Sequence, residues 1–213
     1  MENRRVILLH GLARTSRSMR PMEKYLKKKG FSVLNINYPS RKFPIEELSN
    51  GVRKKLKEEL SSQSNMIWDF VTHSMGGIIL RQIMKTHPLP NLGRVVMLGP
   101  PNQGSEVVDK LSQFKLLSQI NGPACLQLGT EKRGFIQNLG KVEFDLGVIA
   151  GNRSINPLLS LLLPGEDDGK VTVERTKIDG MNDFRIVPFS HSFFMSRQKV
   201  QILVHSFLKN GKF

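Results

Sequence analysis

Apolar residues fall in short unbroken runs separated by longer mixed stretches: Arg5 to His10, Phe31 to Asn35, Met66 to His73, Arg94 to Leu98, Leu146 to Ala150 and Phe184 to Pro188. Each run is strand-sized, and continuous apolarity is what a strand needs when both its faces are covered, as in a parallel sheet. The stretches between them read as helices at about 17–29, 44–61, 75–86, 104–119 and 192–209. The second opens on Pro44 with Glu46 and Glu47 in its first turn, both helix-start signals. In the first, Lys24, Lys27, Lys28 and Lys29 lead into Gly30, so that cations meet the helix C-terminus and glycine takes the left-handed cap. The βαβα order predicts a doubly wound α/β fold, a mostly parallel sheet of about six strands with helices on both faces.

With 213 residues and no internal repeat, linker or low-complexity tract, the chain reads as one domain, 1–213. The segment 100–145 is long for a simple crossover and irregular in its Gly and Pro positions. It reads as a lid or a wall of a substrate pocket, or as ordinary helix-plus-loop padding. Apolar clusters such as Leu158 to Leu163 fall far short of the roughly 18 residues of a membrane span. The run after Arg4 and Arg5 is too short for a signal peptide. A single cysteine, Cys125, excludes an intrachain disulfide framework and fits a reducing compartment. A cytoplasmic protein, with room for peripheral attachment to membranes, is the expectation.

Charge adds a question about partners. Thirty-two Lys and Arg stand against eighteen Asp and Glu, a formal net charge of +14, and the excess is concentrated in residues 1–65. Such a balance suits an anionic partner, or simply a solvated basic surface. The chain has no recognised nucleic-acid motif, and with two Tyr and one Trp it has little to stack on bases. An anionic membrane surface or an acidic substrate is the partner class that remains.

The candidate chemistry is concentrated in Trp68 to Leu80, WDFVTHSMGGIIL, where a strand runs into Thr72-His73-Ser74-Met75-Gly76-Gly77 and then a helix. In a sharp strand-to-helix turn of this kind the serine hydroxyl projects above the sheet, and its neighbours must be small. Gly76 and Gly77 meet that demand and let the helix approach the sheet. The Met75 N–H, at the helix N-terminus, can face a developing oxyanion. Compared with the nucleophile elbow G-x-S-x-G, Thr72 stands in place of the first glycine; alone, the turn is also compatible with a plain strand–helix connection. His10-Gly11-Leu12 ends the first strand, and a loop there can supply a second N–H, from Leu12, to the same oxyanion.

The HGL loop, the VTHSMGG turn, LGPPNQGS after the fourth strand, GVIAG in the fifth, DDGKVTVE and SHSFFM, in that order over nearly the whole chain, resemble the α/β-hydrolase superfamily, specifically its small bacterial lipase and esterase members. The resemblance implies the chain order nucleophile, acid, histidine, which Ser74, then Asp167 or Asp168, then His191 obeys. Asp168 precedes Gly169 in the loop where the family places its orienting carboxylate and is preferred; an acidic surface turn or a calcium-like loop is the plain alternative. His191 follows the last strand, where the general base is expected. Of the other histidines, His10 belongs to the oxyanion loop. His73 is expected on the opposite side of its strand from the nucleophile as a scaffold residue, His87 ends a helix and His205 lies inside the last one. Asp69, about 16 Å from Ser74 along an extended strand, is expected to be a hydrogen-bonded structural carboxylate.

The implied activity is serine hydrolysis of carboxylic esters, of esterase or lipase type, through an acyl-enzyme on Ser74. Its groups would be Ser74, Asp168 and His191, with the backbone N–H groups of Leu12 and Met75 as oxyanion hole, and with no cofactor or metal required. The same residues would serve an acyltransferase or thioesterase, and a non-catalytic module binding anionic membrane or nucleic acid is the reading of a different class. Leu158 to Leu163 and Phe114 to Leu117 are candidates for an acyl pocket or for core packing.

Overall fold

Six strands form within two residues of the continuous apolar runs: β1 (Arg4–Leu9), β2 (Ser32–Ile36), β3 (Ile67–His73), β4 (Leu92–Leu98), β5 (Leu146–Gly151) and β6 (Asp183–Val187). The computed structural model describes residues 4–60, 66–112, 121–155, 160–161 and 163–213. All five strand pairings are parallel, in the order β2-β1-β3-β4-β5-β6. Residues that alternate along a strand enter two separate cores. Ile7, Leu9, Phe70, Met97 and Val148 pack into one, with α2 (Ile45–Leu60) and α3 (Met75–Thr86). Val6, Leu8, Val71, Val96, Leu98 and Ile149 pack into the other, with α1 (Arg20–Lys28) and the C-terminal helix Gln198–Asn210. Both sides of the four central strands β1, β3, β4 and β5 are therefore largely dry, which is why their sequences show apolar runs without polar alternation, while the edge strands β2 and β6 keep exposed positions such as Ser32 and Arg185.

The helix signals act as their chemistry requires. Glu46 and Glu47 occupy the first turn of α2, and α1 ends at Lys28, just before Gly30 at φ +85°. In the segment 100–145, α4 (Glu106–Ser112) falls within the helix expected at 104–119, whose remainder lies outside the described residues, and α5 (Pro123–Leu126) and α6 (Phe135–Asn138) follow. After β5 come α7 (Val173–Thr176), β6 and a 3-10 stretch His191–Ser196; α8 (Gln198–Asn210) starts only after that. Among the described residues no helix is long and apolar enough to cross a membrane.

The chain winds from β1 outward to β2 and then returns to the other side of β1 with β3. The carboxyl ends of β1 and β3 therefore flank the point at which the winding direction reverses, where crevices open in sheets of this kind. Leu9 lies opposite Thr72, and His73 opposite Leu98, so β1, β3 and β4 end at one level.

Candidate active site

Ser74 sits between β3 and α3 with φ 53° and ψ −125°, a left-handed φ that costs a non-glycine residue on the order of 1–3 kcal/mol. Its surroundings hold it there. The Ser74 N–H donates to the Leu98 carbonyl at 2.9 Å, and the Ser74 carbonyl accepts from the Gly77 N–H at 3.0 Å. A Cβ on Gly76 would lie 2.6 Å from the Leu9 carbonyl oxygen and 2.9 Å from that of His10, so only glycine lets α3 seat its first turn on the end of β1. At Gly77 a Cβ would come within 3.2 Å of Thr72 Oγ1. The space left by Gly77 thus accommodates Thr72, the residue standing where the elbow motif has glycine.

The loop after β1 packs directly on this turn. A Cβ on Gly11 would be 3.1 Å from both Ser74 Cβ and His73 Nδ1. Ala13, at φ 56°, is the other described non-glycine residue with positive φ. His10 fixes the loop: its ring stacks on Tyr38 at 4.0 Å and 8°, Nδ1–H donates to the Gly11 carbonyl at 2.9 Å, and Nε2 accepts the Tyr38 N–H at 3.3 Å. The Tyr38 hydroxyl donates to the His10 carbonyl. Burial lowers the His10 pKa, which keeps the neutral ring these bonds require. Neither the Leu12 N–H nor the Met75 N–H has an acceptor among the described residues. Met75 opens α3, where backbone N–H groups are unsatisfied and the helix dipole favours negative charge.

Asp168 and His191 form a buried pair. His191 Nδ1–H donates to Asp168 Oδ2 at 2.7 Å, the side chains being 4% and 0% exposed, and the His191 backbone N–H donates to the Asp168 carbonyl at 3.0 Å. The other carboxylate oxygen, Oδ1, accepts the N–H groups of Lys170 and Val171 at 3.0 and 2.9 Å. Asp167 turns elsewhere, accepting from Ser160 Oγ and the Gly169 N–H at 2.8 and 2.6 Å. With Nδ1 committed to Asp168, Nε2 of a neutral His191 is left with its lone pair.

Two glycines that the sequence reading did not single out make room for this pair. A Cβ on Gly99, at φ +54°, would be 2.9 Å from Asp168 Oδ2 and 3.0 Å from His191 Nδ1. One on Gly151 would be 2.9 Å from Asp168 Cβ. Each directly follows a predicted strand, and each lies in a motif, LGPPNQGS or GVIAG, that carries the family resemblance. His73 lies on the face of β3 that carries Val71, away from α3, as a hydrogen-bonded scaffold residue. Its ring centre lies 4.7 Å from that of His191, and Nε2–H donates to the His191 carbonyl at 2.9 Å. Complete burial, reinforced by charge on His191, pushes the His73 pKa well below its usual value, so it serves as a neutral brace.

Ser74, His73 and His191 line one cavity of about 150 Å³, together with Gly11, Leu12 and Ala13. Pro101, Ser105, Val107, Val108, Cys125 and Leu128 form an apolar-rich wall, all from the segment 100–145. Arg81 ties that segment to α3, donating to the carbonyls of Asn102 and Gly140 at 2.8 and 2.9 Å. Arg14 and Lys170 complete the charged part of the lining. Phe114 to Leu117 lies outside the described residues. Of the described part of Leu158 to Leu163, Leu161 is exposed and Leu163 buried, and neither lines this cavity. Asp69 is wholly buried at the far end of β3, gripped by Arg4 Nε and Nη2 at 2.9 and 2.6 Å and by the Arg94 N–H at 2.7 Å. His87 caps α3 at the surface, and His205 makes edge contacts with Tyr25 and Phe31 on α8's side of the sheet. Among the described residues no cluster of His, Cys, Asp and Glu is arranged to hold a metal ion.

No protein-family model and no curated protein sequence matches the chain. Solved structures do. The mature form of the Bacillus licheniformis lipase BlEst2 superposes with a TM-score of 0.75 at 20% identity, covering 98% of this chain and 91% of that one. The metagenomic carboxyl esterase MGS0156 gives 0.73 at 16% identity, over 89% and 64% of the two chains. Aspergillus fumigatus lipase B gives 0.71 at 13%, over 99% and 54%. Strand order, parallel pairing and these superpositions agree that the chain has the α/β-hydrolase fold, in the form found in lipases and esterases.

Proposed function

We propose that this protein is a serine hydrolase of carboxylic esters, working through an acyl-enzyme on Ser74. The observation that carries the reading is the convergence of a strained serine at the sheet's reversal point with a histidine whose Nδ1 is held by a buried carboxylate, both residues lining one cavity. In the mechanism, His191 Nε2 takes the Ser74 hydroxyl proton as Oγ attacks the ester carbonyl. Asp168 keeps Nδ1 protonated and stabilises the imidazolium that forms. The Leu12 and Met75 N–H groups receive the oxyanion; because the backbone fixes them beforehand, they need no reorganisation when charge develops. His191 then returns the proton to the departing alcohol, and water attacks the acyl-enzyme by the same steps. Lipase and esterase activity in structural neighbours is consistent with this class of substrate.

The test is hydrolysis of neutral nitrophenyl esters of increasing acyl length. Wild type should turn over, and Ser74→Ala and His191→Ala should each lose roughly 10³-fold or more in kcat. Full activity in either variant would remove that residue from the mechanism. The chain-length profile would separate short-chain esterase from lipase behaviour.

A further inference from the structure

The cavity that holds Ser74 and His191 carries two cationic side chains, Arg14 and Lys170, and no carboxylate among its described lining residues. Both are anchored to the reacting groups. Arg14 follows the oxyanion loop and donates from Nη2 to Ser192 Oγ at 3.1 Å, on the residue after His191. Lys170 follows Asp168 by two residues, and its backbone N–H donates to Asp168 Oδ1 at 3.0 Å. Neither has an ion-pair partner among the described residues. They are close enough to repel: surrounding protein lowers the Lys170 pKa first and the Arg14 charge next, while Asp168 opposes the shift. Both residues are exposed and line the cavity, so their charges lie where it opens to solvent. Two cations without a salt-bridge partner among the described residues, lining the cavity beside a nucleophile, form a recognition element for negative charge.

We propose that the preferred substrates are esters that also carry an anionic group, a carboxylate or a phosphate, which Arg14 and Lys170 hold at the cavity mouth while the acyl chain lies against the wall of Val107, Val108 and Leu128. This assignment rests on the ester hydrolase reading and narrows it. A charge-assisted contact at the mouth should favour the anionic ester by about tenfold in kcat/KM, and two such contacts by more. Added salt should erode that advantage, because the groups are solvent-accessible.

The experiment compares matched ester pairs on the full chain. One pair is 4-butyryloxybenzamide against 4-butyryloxybenzoate, with the same acyl group and differing in a carboxylate on the alcohol side. The other is 2-butyryloxyethyl phosphate against 2-butyryloxyethyl methyl ether, followed by acid release. The expected result is an anionic-to-neutral kcat/KM ratio of at least about tenfold in one or both pairs. The pair that shows it identifies carboxylate or phosphate as the recognised group. The ratio should fall toward one in Arg14→Gln/Lys170→Gln and be restored in part by Lys170→Arg in place of Lys170→Gln. Because each ratio is internal to one protein, a general loss of activity in a variant cancels. Turnover of all four esters with ratios near one, or ratios unchanged in the double variant, overturns the substrate assignment alone. Turnover of none of them overturns the hydrolase reading and the assignment with it.

Discussion

Replacing Asp168 by Asn exchanges one oxygen for an NH₂ and, in this geometry, dictates the protonation of the neighbouring imidazole. Oδ1 accepts two backbone N–H groups, from Lys170 and Val171, so the amide oxygen of the variant must stay on that side. Its NH₂ is then aimed at His191 Nδ1, 2.7 Å from the replaced oxygen. A donor facing that nitrogen requires it to be the acceptor, which moves the proton of neutral His191 to Nε2 and removes the lone pair that should take the Ser74 proton. The expected loss is about 10⁴-fold in kcat at neutral pH, equivalent to about 5.4 kcal/mol of transition-state stabilisation. Stability should suffer less, by about 1–3 kcal/mol, because both backbone donors keep their acceptor and a buried charge-assisted bond is exchanged for a neutral one. Initial rates on a neutral nitrophenyl ester and urea unfolding of the same preparation measure the two quantities. Asp167→Asn is the control: among the described residues the Asp167 carboxylate accepts from Ser160 Oγ and the Gly169 N–H, both at Oδ1, a role an amide oxygen can fill. A folded Asp168→Asn protein within about threefold of wild type, or a larger loss in Asp167→Asn, would refute the reasoning.

Two further predictions concern the frame of the site. His73 has a folded-state pKa far below its unfolded value of about 6.5, so the unfolded chain takes up a proton first as pH falls, and stability is lost below that pH. Urea unfolding of His73→Gln should show a shallower decline in stability than wild type as pH falls from about 6.5 to about 5, and an unchanged slope would contradict the burial argument. Gly76→Ala places a Cβ 2.6 Å from the Leu9 carbonyl oxygen, a backbone atom that no rotamer change can move aside. It should cost about 2–3 kcal/mol of stability by denaturant titration and lower kcat by displacing the Met75 N–H; a neutral outcome in both would show that α3 can shift without consequence.

The strands were legible because burial on both faces demands unbroken apolar runs, and Leu146 to Ala150 differs from β5 by a single residue. Ser74 was legible because a sharp turn needs the two glycines that follow it. The segment 100–145 was not, since four-residue helices such as α5 and α6 are too short to show a period and are held by tertiary contacts. Strand alternation gave the face of His73 but not its contact, because the chain after β6 folds over the end of β3 and carries His191 to it. Gly99 and Gly151 matter through what lies opposite them after folding, which no local pattern records. The overall charge of +14 pointed to an anionic partner without locating it; Arg14 and Lys170 are 156 positions apart and meet only at the carboxyl edge of the sheet.

The claim on which the rest depends is that Ser74 is the nucleophile. Treating the protein with a fluorophosphonate and mapping the adduct by peptide mass spectrometry tests it directly. The account predicts one covalent adduct on the peptide containing Ser74, its absence in Ser74→Ala, and loss of ester hydrolysis in step with labelling. An adduct on another residue, equal labelling of the two proteins, or hydrolysis that survives complete modification of Ser74 would contradict it.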